Sequence, residues 1–166
     1  MVKNTLTIMK KSEDTCSRVK TIKVESLLPT DIDSIWDKLQ YFTTLKYIAK
    51  PYIDFVPLDN ETIVWQENEV FYLKLKLLGF ISLGTHTIQV KEFNKDNYTV
   101  RTEEFNKYIQ VWNHKIVLVK TANDQATHYT DEVTIKAGRL TDLIGFWGKF
   151  FYAHRQRKWK KLLIKG

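Results

Sequence analysis

The stretch "YTDEVTIKAGRLTDLIGFWGKFFYAHRQRKWKKLL", residues 129–163, decides the architecture. Its opening alternates. Tyr129, Asp131, Val133, Ile135 and Ala137 fall on one side of an extended chain, as the two-residue period of a strand places them. Gly138 interrupts that pattern, and apolar residues then recur every three or four positions, the period of a helix. A strand feeding a long helix over residues 139–164 is expected. At about 100° per residue, Leu140, Leu143, Ile144, Trp147, Phe150, Phe151 and His154 share one arc, with Phe146 at its margin. That arc is expected to face the sheet, as packed core or as the wall of a cavity. Beyond His154 it carries Lys158, Lys161 and Lys165, and unpaired charges are costly to desolvate. The helix is therefore expected to leave the protein body near residue 155. A smaller opposite stripe, Gly145, Gly148, Tyr152, Trp159 and Leu163, suits contact with another element or a second copy, so a monomer or weak homodimer is expected.

Upstream, residues 1–18 are polar and read as an arm or edge strand, and residues 19–166 as a single domain. "VKTIKVESLL" (19–28) suits a first strand. In "PTDIDSIWDKLQ" (29–40), Pro29 and Asp31 mark a helix start, and Ile32, Ile35, Trp36 and Leu39 share a face. "YFTTLKYIAK" (41–50) reads as a second short helix. Period-two runs follow near 53–58, 62–67, 69–78, 80–93, 98–105, 110–120 and 127–137. Short polar breaks such as "LDNE", "NKDN" and "TANDQA" suit turns between them. This order of elements is α+β.

Composition narrows the functional classes. The net charge of +7 belongs to one segment. From Arg139 to Gly166 there are eight Lys/Arg against Asp142 alone, and the rest of the chain is neutral. A nucleic-acid footprint would spread its basic residues over a face, so nucleic acid is not an expected partner. The cationic helix end leaves open transient contact with an anionic membrane or RNA, with Trp159 as the stacking or anchoring ring. The single cysteine, Cys16, excludes an intramolecular disulfide. Neither a secretory leader nor a membrane-spanning run stands out, and a soluble cytoplasmic protein is expected. Phosphate-binding glycine loops, the G-x-S-x-G elbow and H-E-x-x-H are all missing from the sequence. The four histidines lack metal-site spacing, so neither metal nor cofactor is expected.

The helix pair after the first strand, the run "VWNHKIVLVK" (111–120) and the closing strand–glycine–helix together resemble the START-like (SRPBCC) superfamily. The resemblance spans roughly residues 19–164 and covers birch-pollen allergens, polyketide cyclases and lipid-transfer domains. It implies a helix-grip fold: a curved antiparallel sheet of about six to seven strands wrapped around the last helix, with an apolar cavity between them. Strand alternation then turns His86, Glu104, His114 and Asp131 inward, the first near Glu104 and Gln110, the last beside Ile116. Inward polar groups of this kind satisfy one another, fix the polar end of a ligand, or move protons. The expected lining is His86, Ile88, Glu104, Trp112, His114, Asp131, Leu143, Trp147, Phe150, Phe151 and His154. The leading expectation is binding or transport of a hydrophobic small molecule. The alternative is a cyclase or aromatase with His86, Glu104, His114 or Asp131 as acid–base groups.

Overall fold

The computed structural model describes residues 18–58 and 63–165. Of the expected arm over residues 1–18, residues 1–17 lie outside the described residues. Strand β1 (Lys20–Leu28) leads into α1 (Ile32–Leu39), whose N-cap is Asp31. The Asp31 carboxylate accepts the Ser34 N–H at 2.8 Å, satisfying one of the free donors of the first turn. Helix α2 (Phe42–Ala49) follows, and both helices bury their apolar faces: Ile32, Ile35 and Trp36 from α1, Phe42, Ile48 and Ala49 from α2. The remaining strands are β2 (Ile53–Pro57), β3 (Val70–Leu77), β4 (Ile81–Asn94), β5 (Thr99–Asn106), β6 (Val111–Lys120) and β7 (Thr127–Lys136). A 3-10 turn, Gly138–Leu140, leads to α3 (Thr141–Lys165), 25 residues long.

All seven strands form one sheet in the order β1-β7-β6-β5-β4-β3-β2, with every neighbouring pair antiparallel. Helices α1 and α2 carry the chain from one sheet edge to the other. Curvature comes mainly from β4, the longest strand at 14 residues. Its register slips against β3 near Leu83 and Gly84, and against β5 at Lys91. Such bulges bend a strand and increase its twist. Gly84 sits at φ +80, a backbone region that residues with a Cβ rarely adopt. The bent sheet wraps around α3, which packs on β1, β7 and α2.

One expected strand does not form. Residues 63–67 contribute only an isolated bridge, Tyr41 to Val64, and form no strand. Their alternation serves packing instead. Ile63 is buried, and Trp65 meets the rings of Phe42 and Phe71. Asn68, in the left-handed region at φ 69, then turns the chain into β3.

The long helix rests on the sheet with only part of the side its apolar pattern suggests: Phe151 is buried, and Ile144 and Trp147 pack against the core. The line of closest contact runs through Thr141, Gly145, Gly148, Tyr152, Arg155, Gln156 and Trp159, rotated from the expected arc by somewhat more than the ~100° turn of one residue. Leu143, Phe146 and Phe150 are exposed. Two local causes account for the rotation. At Gly148 a Cβ would stand 3.1 Å from Ile22 Cδ1 and 3.3 Å from Trp112 Cη2, so the helix lies on the sheet where it has no side chain. Trp159, fully buried, fills a second core with Leu28, Ile35, Trp36, Ile116, Leu118 and Tyr129. The helix therefore does not leave the body at residue 155. The stripe expected to meet another element or a second copy meets the sheet and is the core face, so Trp159 is not available to stack on RNA or anchor in a bilayer. Lys158 is half-buried, with Nζ 4.0 Å over the Tyr47 ring. No described helix is long and apolar enough to cross a membrane.

This rotation has a measurable consequence. Trp159→Ala should lower unfolding free energy by about 3–5 kcal/mol, the range for emptying a buried aromatic site. Phe146→Ala, at an exposed position, should stay within about 0.5 kcal/mol of the parent. Urea denaturation of both variants checks the assignment.

Candidate functional site

Where α3 lifts away from β3, β4 and β5, the concave face of the sheet encloses a cavity of about 520 Å³. Most of the wall is apolar: Phe55, Leu75, Ile88, Val100, Trp147 and Phe151 are representative. Leu143 and Tyr108 line the cavity and are also exposed, so they mark its opening. Apart from Thr44 on α2, the polar lining comes from β4, β5, β6 and α3: His86, Thr102, Glu104, Asn106, His114, Tyr152 and Arg155.

Strand register explains why the acids and histidines meet. His86 stands opposite Asn106 and Ile88 opposite Glu104, so His86 and Glu104 are diagonal neighbours on one face. Their side chains meet at 2.8 Å, Nε2 to Oε2. The hydrogen bonds around this pair assign its proton. Asn106 Oδ1 accepts the backbone N–H groups of Tyr108 and Ile109 at 2.8 and 2.9 Å. Its Nδ2 is thereby the atom that donates to His86 Nδ1 at 3.3 Å. His86 Nδ1 accepts, and Nε2 carries the proton it donates to Glu104. Thr102 Oγ1 donates to the other Glu104 oxygen at 2.6 Å. Burial alone would raise the Glu104 pKa. The His86 and Thr102 hydrogen bonds, with the positive charge His86 and His114 hold when protonated, outweigh it and bring the carboxyl below its ordinary 4.5.

The second pair repeats the geometry between β6 and β7. Ile116 is opposite Asp131 and His114 opposite Val133, again a diagonal, and His114 Nε2 lies 2.7 Å from Asp131 Oδ1. The other Asp131 oxygen accepts from Gln156 Nε2 at 2.9 Å. The same amide nitrogen donates to the Val24 carbonyl at 2.8 Å, tying α3 to β1 and β7 together. Tyr152 Oη accepts the Trp112 indole N–H at 3.0 Å. Burial pushes the Tyr152 phenol far above its usual range. The Arg155 charge opposes that shift, and the charges of Glu104 and Asp131 add to it, so Tyr152 stays a neutral O–H donor.

Of the eleven residues expected to line a site, eight line the cavity: His86, Ile88, Glu104, Trp112, His114, Leu143, Trp147 and Phe151. The other three do not. Asp131 is buried behind His114, sealed by Gln156. Phe150 turns outward to meet Tyr52 edge-on, and His154 bonds the Lys50 carbonyl at 2.9 Å, both displaced by the rotation of α3. Gln110, expected beside His86, is exposed before β6 begins. Tyr152 and Arg155 were not expected here. The signal for them was their alignment with Gly148 and Trp159 on the stripe that proves to face inward. Among the described residues no three His, Cys, Asp or Glu side chains converge as a metal site requires.

A curved antiparallel sheet gripping a C-terminal helix, with two short helices after the first strand and a cavity under the grip, defines a helix-grip fold. The chain belongs to the family described as Domain of unknown function (DUF8410), whose profile matches residues 26–163. Among curated proteins none matches the chain. Solved structures share the fold at low identity. Norcoclaurine synthase from Thalictrum flavum, in complex with dopamine and hydroxybenzaldehyde, superposes with a TM-score of 0.66 at 8% identity, over 99% of this chain and 98% of its own. Ara h 8.0201 gives 0.66 at 13%, covering 90% and 100%. A START superfamily protein from Mycobacterium smegmatis gives 0.66 at 8%, covering 87% and 97%.

The Glu104 cluster carries a pH signature. Its folded pKa lies below the unfolded one, so its stabilisation is present above the ordinary value of 4.5 and is lost as pH falls through the folded value. Glu104→Gln should lower the melting temperature at neutral pH, and the gap from the parent should narrow as pH drops below 4.5. Thermal melts of both proteins across that range check it.

Proposed function

We propose that the protein binds and carries a hydrophobic or amphipathic small molecule, of lipid, isoprenoid or polyketide type, in the cavity between sheet and α3. The observation that carries this reading is a largely apolar space of about 520 Å³ whose ionisable groups come from β4, β5, β6 and α3. Cavities of this size suit drug-sized or lipid-sized molecules, with a few polar groups fixing orientation. Norcoclaurine synthase, bound to two small aromatic molecules, supports the reading by analogy of fold.

Diphenylhexatriene, a neutral apolar fluorophore, should bind with one-to-one stoichiometry, and native mass spectrometry of freshly purified protein should reveal a retained small molecule. Ile88→Trp, which fills the middle of the cavity, should weaken that binding about tenfold or more by displacing several ligand atoms. Undiminished binding in a folded Ile88→Trp protein would place the ligand elsewhere.

A second reading is favoured by one contact, the 2.7 Å bond between His114 and the buried Asp131, with His114 on the cavity wall. A carboxylate behind an imidazole orients it and stabilises its charged form, the arrangement of a general base. In this reading the protein is a cyclase-like enzyme, and His114→Gln should abolish cyclisation of a polyketide-type thioester while leaving diphenylhexatriene binding measurable. Steady-state kinetics on the two proteins separates carrier from catalyst.

A further inference from the structure

Arg155 occupies an unusual position. It is 6% exposed, lies on the inward line of α3 and lines the cavity. Its guanidinium lies 4.8 Å over the Tyr152 ring and 5.8 Å from that of Phe151, which hold it in one orientation. Among the described residues it makes no ion pair or side-chain hydrogen bond, and its buried Nε has no acceptor. Buried cations are normally paired, because desolvating a lone charge costs several kcal/mol.

The neighbouring acids are already engaged. Glu104 from β5 accepts from His86 and Thr102, and Asp131 from β7 accepts from His114 and Gln156. Burial opposes the guanidinium charge, and the carboxylates of Asp131 and Glu104 lie near enough to favour it, though neither forms an ion pair with Arg155 among the described residues. The donor capacity left unused on this wall is that of the guanidinium N–H groups and of the Tyr152 O–H, whose oxygen is already taken by Trp112. A guanidinium fork matches a planar two-oxygen acceptor better than any other group.

Resting on the reading of the cavity as a ligand site, we infer that its ligand is an apolar carboxylic acid whose carboxylate is held by Arg155 with the Tyr152 hydroxyl. Leu143 at the opening and Arg155 inside stand twelve residues apart on α3, about 18 Å along the helix axis. The acid therefore lies head inward, with its chain running along the apolar wall toward Leu143 and Tyr108.

The first test needs no variant. Protein loaded with diphenylhexatriene is titrated at neutral pH with dodecanoic acid, dodecanol and dodecylamine. Dodecanoate should displace the fluorophore at a concentration about tenfold or more below dodecanol, the gain expected of hydrogen bonds to a charged group. In Arg155→Met the acid-to-alcohol ratio should fall to parity, and in Arg155→Lys, which keeps the charge and loses the fork, it should be intermediate. Circular dichroism of each variant confirms the fold. Equal displacement by acid and alcohol in the parent overturns the inference and leaves the cavity reading standing. So does a preference for the amine, which would show that Glu104 and Asp131 dominate the wall. Failure of diphenylhexatriene itself to bind overturns both.

Discussion

The seating of α3 on β1 at Gly148 governs the rest of the molecule. With no side chain there, the helix comes down onto Ile22, Trp112 and Ile135, and its direction across the sheet is set. A glycine in mid-helix sacrifices about 1 kcal/mol of propensity relative to alanine. It gains a contact close enough to pin the helix near one sheet edge. Gln156 adds a second tie two turns on, bonding the β1 backbone and Asp131 of β7 through one nitrogen. Held along β1 and β7, the helix stands away from the bulged strand β4, and that separation is the cavity. The site is thus a by-product of asymmetric attachment and not of any residue designed to line it.

The same attachment separates what could be read in the sequence from what could not. Strand alternation is a property of the backbone, and it placed His86, Glu104, His114 and Asp131 on the concave face, as well as Ile116 opposite Asp131. Turn lengths sufficed for these pairs but not for Gln110, which falls before β6 begins while Asn106 takes the place opposite His86. The helix was harder because hydrophobicity gives glycine little weight, whereas at a close contact glycine marks the face that touches. Phe146, Phe150 and Leu143 outweighed Gly145 and Gly148 in the apolar pattern and drew the expected face about one residue's turn away. Arg155 was hidden for a related reason. A cation amid Arg157, Lys158 and Lys160 reads as part of a solvated end, and only the burial of Trp159 one turn later places it inside. Residues 63–65 show the converse, alternation that serves side-chain packing without a ladder.

The polar side of the cavity is ordered by the acceptor-only character of its two carboxylates. Each fixes one histidine proton on Nε2, and each receives a second donor from elsewhere in the fold. Asn106 extends this order to the chain turn after β5, since the amide that bonds His86 is oriented by the backbone of Tyr108 and Ile109. The wall is consequently rigid on its β4–β7 side. Tyr152 and Arg155, presented by α3, are the groups with donors to spare.

The distribution of tryptophans divides the protein optically. Trp65, Trp112 and Trp147 line the cavity, whereas Trp36 and Trp159 belong to the second core under α1. An occupant that quenches on contact would reach the first three and not the other two. Ultraviolet emission therefore carries two separable signals, one reporting what the cavity holds and one reporting whether the end of α3 is still seated.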